Sequence, residues 1–231
     1  MKPLYIIPAR GGSKGIPHKN IKSLGGRPLI AYTIDCATEA AKHIGGTIVL
    51  STDDEDIAAT ARECGLDVEY LRPAELGLDT TGSREVMLDV MDWADSKGIE
   101  YNCVVLLQPT SPLRTYDDIE MSLVLFSDDV DMVVSVCPSD DNPYYNLFEC
   151  TADGTLKVCK GDGLYTRRQD VPQVYKYNGA VYVIRPESLR EMPMGAFPKR
   201  IPYYMPAVRS IDLDTPDDWQ RAEQIIRDMK S

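Results

Sequence analysis

The sequence predicts an α/β fold: a single, mostly parallel sheet covered by helices on both faces and interrupted once by a small, irregular, partly β excursion. Three observations carry this. Apolar runs at residues 4–7, 47–50, 103–107 and 132–136 have strand length and lack the polar alternation of a half-exposed strand. Between most of them lie stretches whose apolar residues recur at helical spacing, the alternation that builds a parallel sheet. Residues 138–177 follow neither period and are polar and rich in tyrosine. At 231 residues the chain is long enough for one substantial core and too short for two large domains.

Acids outnumber bases, 36 Asp and Glu against 25 Lys and Arg, for a net charge of −11. That balance argues against nucleic acid and anionic membrane as partners, so a basic patch here is local and aimed at a small anion. No apolar run reaches spanning length, and the first residues lack the charged, apolar, then small pattern of a secretory leader, so a cytoplasmic protein is expected. Cys36, Cys64, Cys103, Cys137, Cys150 and Cys159 are scattered without C-x-x-C pairs, and His18 and His43 are the only histidines. Buried free thiols are expected, in place of disulfides or a zinc site.

The elements follow in order. Leu4-Tyr5-Ile6-Ile7 is a strand that stops at a loop of glycines and prolines. Residues 28–43 form a helix with Leu29, Ile30, Ile34, Ala37 and Ala41 on one face. After the strand at 47–50, Ser51-Thr52-Asp53-Asp54-Glu55-Asp56 supplies the hydroxyls and acids of a helix start, which is capping chemistry and not metal binding. That helix reaches Cys64, and Gly65 ends it. A short strand is expected at 68–71, then a polar loop at 72–83 with Ser83 as N-cap of a helix to about Ser96. The strand at 102–107 breaks at Gln108-Pro109, a helix covers 116–126 and a strand 132–136. Beyond the excursion come a strand at 179–184, a helix near 186–191, a strand near 201–205 and a last helix from Pro216 to about Met229. Ligands of open α/β sheets bind at the carboxyl ends of the strands, so the loops after Ile7, Leu71 and Leu107 should converge.

The first of these loops carries the chemistry. Gly11, Gly12 and Gly15 allow bare backbone amides to turn inward as an oxyanion nest, while Arg10, Lys14 and Lys19 surround it with positive charge. None of the 36 acids precedes Asp35, where even spacing would put about five. A merely solvated basic turn leaves that exclusion unexplained, whereas a phosphate site accounts for it. Lys14 is followed by Gly15 where a Walker loop has Ser or Thr, and no G-x-G-x-x-G occurs, so neither common nucleotide signature applies.

A second cluster, Asp212-Leu213-Asp214-Thr215-Pro216-Asp217-Asp218, divides between two tasks. With Thr215 as cap and Pro216 as the first helical residue, Asp217 and Asp218 face the positive end of the helix dipole. Asp212 and Asp214, two apart on an extended segment, then point the same way and would repel unless a cation lay between them. Magnesium, which takes one or two carboxylates plus phosphate oxygens, suits them. The alternative is that Asp214 caps the helix and Asp212 is simply exposed.

Taken together, Ile7-Pro8-Ala9-Arg10-Gly11-Gly12-Ser13-Lys14-Gly15-Ile16-Pro17, Lys19-Asn20, Arg72-Pro73-Ala74-Glu75, Gln108-Pro109-Thr110-Ser111-Pro112-Leu113-Arg114, Asn178-Gly179-Ala180 and Asp212-Leu213-Asp214 resemble the acylneuraminate cytidylyltransferases, the CMP-sialic acid synthetases. The resemblance spans almost the whole chain in the family's order. It implies a Rossmann-like nucleotidyltransferase domain over residues 1–231, with the 138–177 excursion as a dimerisation subregion. The implied reaction is attack of the anomeric hydroxyl of a nonulosonic acid, a nine-carbon α-keto acid sugar, on the α-phosphorus of CTP, with loss of pyrophosphate.

By matching positions, the resemblance implies that Arg10, Ser13, Lys14 and Lys19 hold the triphosphate and that Asn20, Arg72, Thr81 and Ser83 shape the cytidine pocket. Gln108 and Tyr182 would border the sugar, and Asp212 with Asp214 would hold magnesium. It also implies a homodimer in which the excursion of each subunit reaches the other's site. Arg168 would there meet the sugar carboxylate or the phosphate; otherwise it is a surface arginine paired with Asp170. Related nucleotidyltransferases for an eight-carbon keto acid sugar carry an acid at the position of Gln108, which leaves Asp212 and Asp214 as the protein ligands. Tyr145 stands where some sialate enzymes have lysine, so Arg168 or Lys176 would substitute. Two other readings are a glycosyltransferase, since Asp212-Leu213-Asp214 has the D-x-D form, and a nucleotide-binding regulator without turnover. The acid-free loop opposes the first, and joint retention of Arg10, Lys19, Asp212 and Asp214 opposes the second.

Overall fold

The structure, a computed structural model, describes residues 1–12 and 15–230. β1 (Pro3–Pro8) is followed by a small hairpin, β2 (Ser23–Leu24) and β3 (Arg27–Pro28), which feeds α1 (Leu29–Ile44). Next come β4 (Thr47–Ser51), α2 (Glu55–Glu63), α3 (Ser83–Ser96), β5 (Cys103–Leu106), α4 (Tyr116–Val124) and β6 (Met132–Pro138). An arm containing the hairpin β7 (Phe148–Cys150) and β8 (Leu156–Val158) leads to β9 (Tyr175–Ile184). The chain ends with α5 (Pro186–Glu191), β10 (Arg200–Tyr204) and α6 (Pro216–Lys230).

Among the described residues six strands form the main sheet, in the order β10-β6-β9-β5-β1-β4. Side chains alternate across it: Leu4, Ile6, Val104, Leu106, Met132 and Val134 pack on one face, and Tyr5, Ile7, Val105, Leu107 and Val133 on the other. Met87, Met91 and Leu189 from α3 and α5 cover the first face. Ile30, Ile34, Ile57 and Ile119 from α1, α2 and α4 cover the second. Both faces are covered and buried, which is why these strands read as unbroken apolar runs.

The orientation of β9 is a finding the sequence did not supply. It lies between β5 and β6 and runs antiparallel to both, pairing Val183 with Val105 and with Val133. The remaining sheet pairs, β1 with β4, β1 with β5 and β6 with β10, are parallel. Reversal places the start of β9, not its end, at the carboxyl ends of its neighbours. The register also shifts between Val134 and Val136, opposite Tyr182 and Tyr177. Gly179 sits in that irregularity with φ +77°, a left-handed conformation that a glycine adopts without penalty.

Three expectations need correction. Residues 68–71 form no strand: Tyr70 turns onto α3, stacking edge-on against Trp93 with 5.5 Å between centroids and donating its hydroxyl to Asp89, so the segment packs on a helix and does not extend the sheet. The N-cap of α3 is Gly82, and Ser83 is its first helical residue. Finally, Cys103 and Cys137 are buried, but Cys150 and Cys159 lie exposed on the arm; no disulfide forms among the described residues. No helix among them is long and apolar enough to cross a membrane.

A third cluster, beyond the sheet, is the one that builds the site. Ile16, Leu24 and Leu29 from the first loop and hairpin meet Leu113, Ile211 and Leu213, and Trp219, Ala222 and Ile226 of α6 close over them. Full burial of one such leucine is worth about 2 kcal/mol. This cluster therefore clamps the segment bearing Asp212 and Asp214 against the basic N-terminal loop.

Candidate functional site

At the carboxyl ends of β1 and β5 the surface opens into a cavity of about 380 Å³. Of the residues expected at a site, Arg10, Lys19, Asn20, Arg72, Thr81, Ser83, Gln108 and Asp214 line it. Pro109 and Thr110 join them from the loop after β5, and Leu76, Leu78 and Asp79 from the loop before α3. Ser13 and Lys14, expected at the phosphate tail, lie outside the described residues.

The loop after β1 is closed on itself and on its neighbours. Ala9 N–H donates to Ser51 O at 2.9 Å. Asn20, almost wholly buried, donates Nδ2 to Arg10 O at 3.0 Å and so ties the two ends of the loop together. Lys19 Nζ, on a side chain only 12% exposed, donates to Leu213 O at 2.6 Å and lies 3.4 Å from Asp214 Oδ1. The glycines answer to close approach: a Cβ on Gly15 would fall 2.3 Å from Asp214 O, and one on Gly11 2.4 Å from Asp54 Oδ2.

The freedom of this loop from acids holds along the chain but not in space. Arg10 Nη1 pairs with Asp79 Oδ1 at 2.6 Å. Gly11 N–H, one of the amides expected to face a phosphate, donates to Asp53 Oδ1 at 3.2 Å. Asp54 behaves as the sequence predicts, capping α2 by accepting from Asp56 N and Ile57 N. Nothing in the sequence flags Asp79, because its partner is 69 positions away, the difference between residues 79 and 10.

Arg72 is buried, donating Nη2 to Ser51 O at 2.7 Å and Nε to Ser51 Oγ at 2.9 Å. Burial holds its pKa below the usual arginine range, with Asp53 opposing. It fastens the end of β4 to the wall of the cavity. Thr81 Oγ1 donates to Glu75 O at 3.3 Å within the same wall.

Gln108 is set by Arg114. That fully enclosed guanidinium donates to Gln108 O at 3.2 Å, Ala180 O at 2.7 Å and Thr33 Oγ1 at 2.7 Å, joining the loop after β5 to β9 and α1. Burial pushes its pKa down to about 10. Its Nε finds no partner among the described residues. Across from it, the carboxamide of Asn178 donates to Ser210 Oγ at 2.9 Å and accepts from Ser135 Oγ at 2.6 Å, and its backbone oxygen accepts from Ser111 Oγ at 3.2 Å. These two residues hold the walls in place; the sequence showed them only as members of a motif.

Asp212 and Asp214 do not lie on an extended segment. Asp214 N–H donates to Asp212 O at 3.1 Å in a tight turn, while Leu213 between them is fully buried and donates its N–H to Thr110 O at 2.9 Å. Asp214 therefore turns toward Lys19, and Asp212 toward Thr110 and Gly179, where a Cβ would stand 3.5 Å from Asp212 Oδ2 and 2.7 Å from Gln108 Oε1. Partial enclosure, and then the charge of Asp214, pushes the Asp212 carboxyl up, with a hydrogen bond from Thr110 opposing. Beside it the Tyr182 phenol is pushed up to about 12 by burial and by Asp212. Thr215 caps α6, exchanging hydrogen bonds with Asp218, so the helix start accounts for Asp218 and leaves Asp212 and Asp214 to the site.

No group of three or more His, Cys, Asp and Glu converges among the described residues. The two carboxylates face different sides of Leu213, so the expectation that they point the same way is not met; each offers the oxygen donors that a hard divalent cation, completed by phosphate and water, takes. Arg168 stands apart on the arm, paired with Asp140; its neighbour Arg167 is the residue that pairs with Asp170, at 2.6 Å.

A family model described as Cytidylyltransferase matches residues 4–225. The N-acylneuraminate cytidylyltransferase of Streptococcus agalactiae serotype V is 36% identical over 223 residues, which are 95% of this chain and 52% of that protein. The chain thus spans about half the length of that relative. The CMP-N,N'-diacetyllegionaminic acid synthase of Legionella pneumophila is 32% identical over 227 residues, 98% of this chain and 97% of that one. Among solved structures, a CMP:2-keto-3-deoxy-manno-octonic acid synthetase complexed with CTP superposes with a TM-score of 0.70 at 17% identity, covering 99% of this chain and 100% of the other, a likeness of fold.

Proposed function

This chain belongs to the cytidylyltransferase family, and from that premise we propose that it transfers the CMP group of CTP to the anomeric hydroxyl of a nonulosonic acid, releasing pyrophosphate. The observation that carries the reading is the meeting of Lys19 with Asp214 at the wall of a polar cavity, which unites a phosphate loop with a carboxylate pair. The names of the Streptococcus and Legionella relatives support the sugar class.

In-line displacement at phosphorus needs position and charge neutralisation more than covalent help. Arg10 and Lys19, with Ser13 and Lys14, bind the triphosphate. Asn20, Arg72, Thr81 and Ser83 border the cytidine. Gln108 and Tyr182 face the sugar beside Asp212, so the attacking hydroxyl approaches from the Gly179 side. Asp212 and Asp214 would hold magnesium, which when bound supplies charge neutralisation to the phosphates. Incubation with CTP, magnesium and a panel of nonulosonic acids tests the reading: pyrophosphate release with at least one sugar is expected, and none from folded protein would overturn it.

The same reading makes the protein a cytoplasmic homodimer, since CTP is an intracellular substrate and the arm exposes Phe148, Leu156 and Leu164. Arg168 then acts in the site of the opposite subunit. Mixing Arg168→Ala and Asp214→Asn dimers, each inactive alone, should restore partial turnover through heterodimers with one intact site. No recovery after verified exchange would place Arg168 in its own subunit's site, and full activity of Arg168→Ala alone would place it outside the reaction.

A further inference from the structure

Among the described residues of the N-terminal loop, Arg10, the Gly11 amide and Lys19 are already engaged by the protein's own carboxylates. Arg10 and Asp79 form their 2.6 Å pair with each side chain 34% exposed, mostly withdrawn from water. One residue on, the Gly11 amide donates to Asp53. Asp53 is in turn pressed against the turn that leads to Asp79, since a Cβ on Gly77 would lie 2.4 Å from Asp53 Oδ2. Two acids from two loops thus hold the cation and the amide that the proposed function assigns to a polyphosphate tail.

We propose that Asp79 is an internal stand-in for the polyphosphate: it holds Arg10 in place while the site is empty, leaves when a di- or triphosphate arrives, and returns to Arg10 as pyrophosphate departs. For the identity of the nucleotide this rests on the cytidylyl-transfer reading; the exchange on Arg10 does not.

The exchange follows from charge and from the shape of the loop. A guanidinium binds a carboxylate and a phosphate by the same planar fork, so the two compete for one partner, and a polyphosphate brings the greater charge. Once displaced, a carboxylate beside bound phosphates is repelled and must move. Asp79 lies in a turn closed on itself, with Thr81 N–H donating to Leu78 O at 3.1 Å, so the turn can move as one piece. That piece carries Leu78 and Thr81, which line the cavity. Arrival of the tail therefore resets the wall assigned to the cytidine, and loss of pyrophosphate lets the wall relax.

The test compares wild type with Asp79→Asn, and with Asp79→Ser as a second variant, each checked for folding by thermal melting. Titration calorimetry with inorganic pyrophosphate and with tripolyphosphate should show binding about two- to fivefold tighter in both variants, the range of a partly exposed ion pair. Cytidine has no phosphate to compete for Arg10, so any change in its affinity in the variants should match the change that added pyrophosphate produces in wild type. Amide hydrogen exchange over residues 76–82 should rise in wild type when pyrophosphate is added and be high from the start in the variants. Unchanged or weaker pyrophosphate binding would overturn the proposal, since Asp79 would then only orient Arg10. Should wild type bind no cytidine and turn over no CTP, the cytidylyl reading falls, while the pyrophosphate titration still decides the exchange.

Discussion

Lys19 Nζ lies 3.4 Å from Asp214 Oδ1 and donates to Leu213 O at 2.6 Å, although 195 positions separate the two charged residues. The contact joins the start of the chain to the approach of its last helix, and the buried cluster around Leu213 and Trp219 holds it there. A cation and an anion meet at the cavity wall because each is carried by a segment that has no other place to bury its neighbours.

Both partners should be needed for turnover. Lys19→Met and Asp214→Asn are each expected to lower kcat by about 10²-fold or more, the scale of losing one group that stabilises developing charge. Pyrophosphate release at saturating CTP and magnesium measures this. Wild-type rates in Asp214→Asn would show that the carboxylate pair does not serve the reaction.

Gly179 should be intolerant of even one added carbon. Its φ of +77° disfavours an L side chain, and a Cβ would fall 2.7 Å from Gln108 Oε1. Gly179→Ala is expected to cost about 1–2 kcal/mol in urea unfolding, the scale of a strained left-handed residue. It should also raise KM for the sugar more than KM for CTP. Equal changes in the two KM values would separate Gly179 from the sugar end.

Asp118 is completely buried at the start of α4, where it accepts from Thr115 N, Tyr203 Oη and the Arg209 guanidinium. Arg209 stands just before Ser210 and the carboxylate pair, so this contact anchors the acidic segment. Asp118→Ala strips the Thr115 amide and the Tyr203 hydroxyl of their acceptor. It also takes the carboxylate from Arg209, whose side chain is 26% exposed and keeps Thr115 Oγ1. The change should cost about 1–3 kcal/mol, the range for leaving buried polar groups unpaired. Chemical denaturation checks the figure, and a loss below 1 kcal/mol would mean that Arg209 is satisfied by water.

Asp131, buried beneath α5, is held below the usual carboxylate range by Ser188 first and then by the Lys199 amide, with Arg185 adding to the effect. A depressed folded pKa means that the carboxylate favours the folded state above its unfolded pKa, and that this contribution disappears as pH falls through the folded value. Asp131→Asn should therefore destabilise the protein at neutral pH and differ progressively less from wild type as the solution is acidified below about pH 4. Urea midpoints across that range measure the trend; a gap independent of pH would assign the loss to packing.

Much of the fold was legible because strands buried on both faces leave unbroken apolar runs, and helices on one face leave periodic ones. The 68–71 segment misled for the same reason: Val68 and Tyr70 alternate as in a strand, yet Tyr70 buries against Trp93 on a helix. Strand direction has no local signature, so the reversal of β9 between β5 and β6 could not be read from its residues. In the site, Arg10, Lys19, Arg72 and Gln108 stood out by residue type and motif. Asp79, Asn178 and Arg114 were silent or nearly so, since their roles consist of contacts with distant segments.

The sequence by itself determined the α/β class, the order of the elements, the basic loop at the end of the first strand and the acids ahead of the last helix. These are properties of local composition and period, which act within a few residues. Only the tertiary structure decided that the loop's cations meet Asp79 and Asp214, that Asp212 and Asp214 diverge around a buried Leu213, and that the start of β9 supplies Gly179 to the site. Charges act through space, and it is burial of the apolar residues between them that sets which ones come within reach.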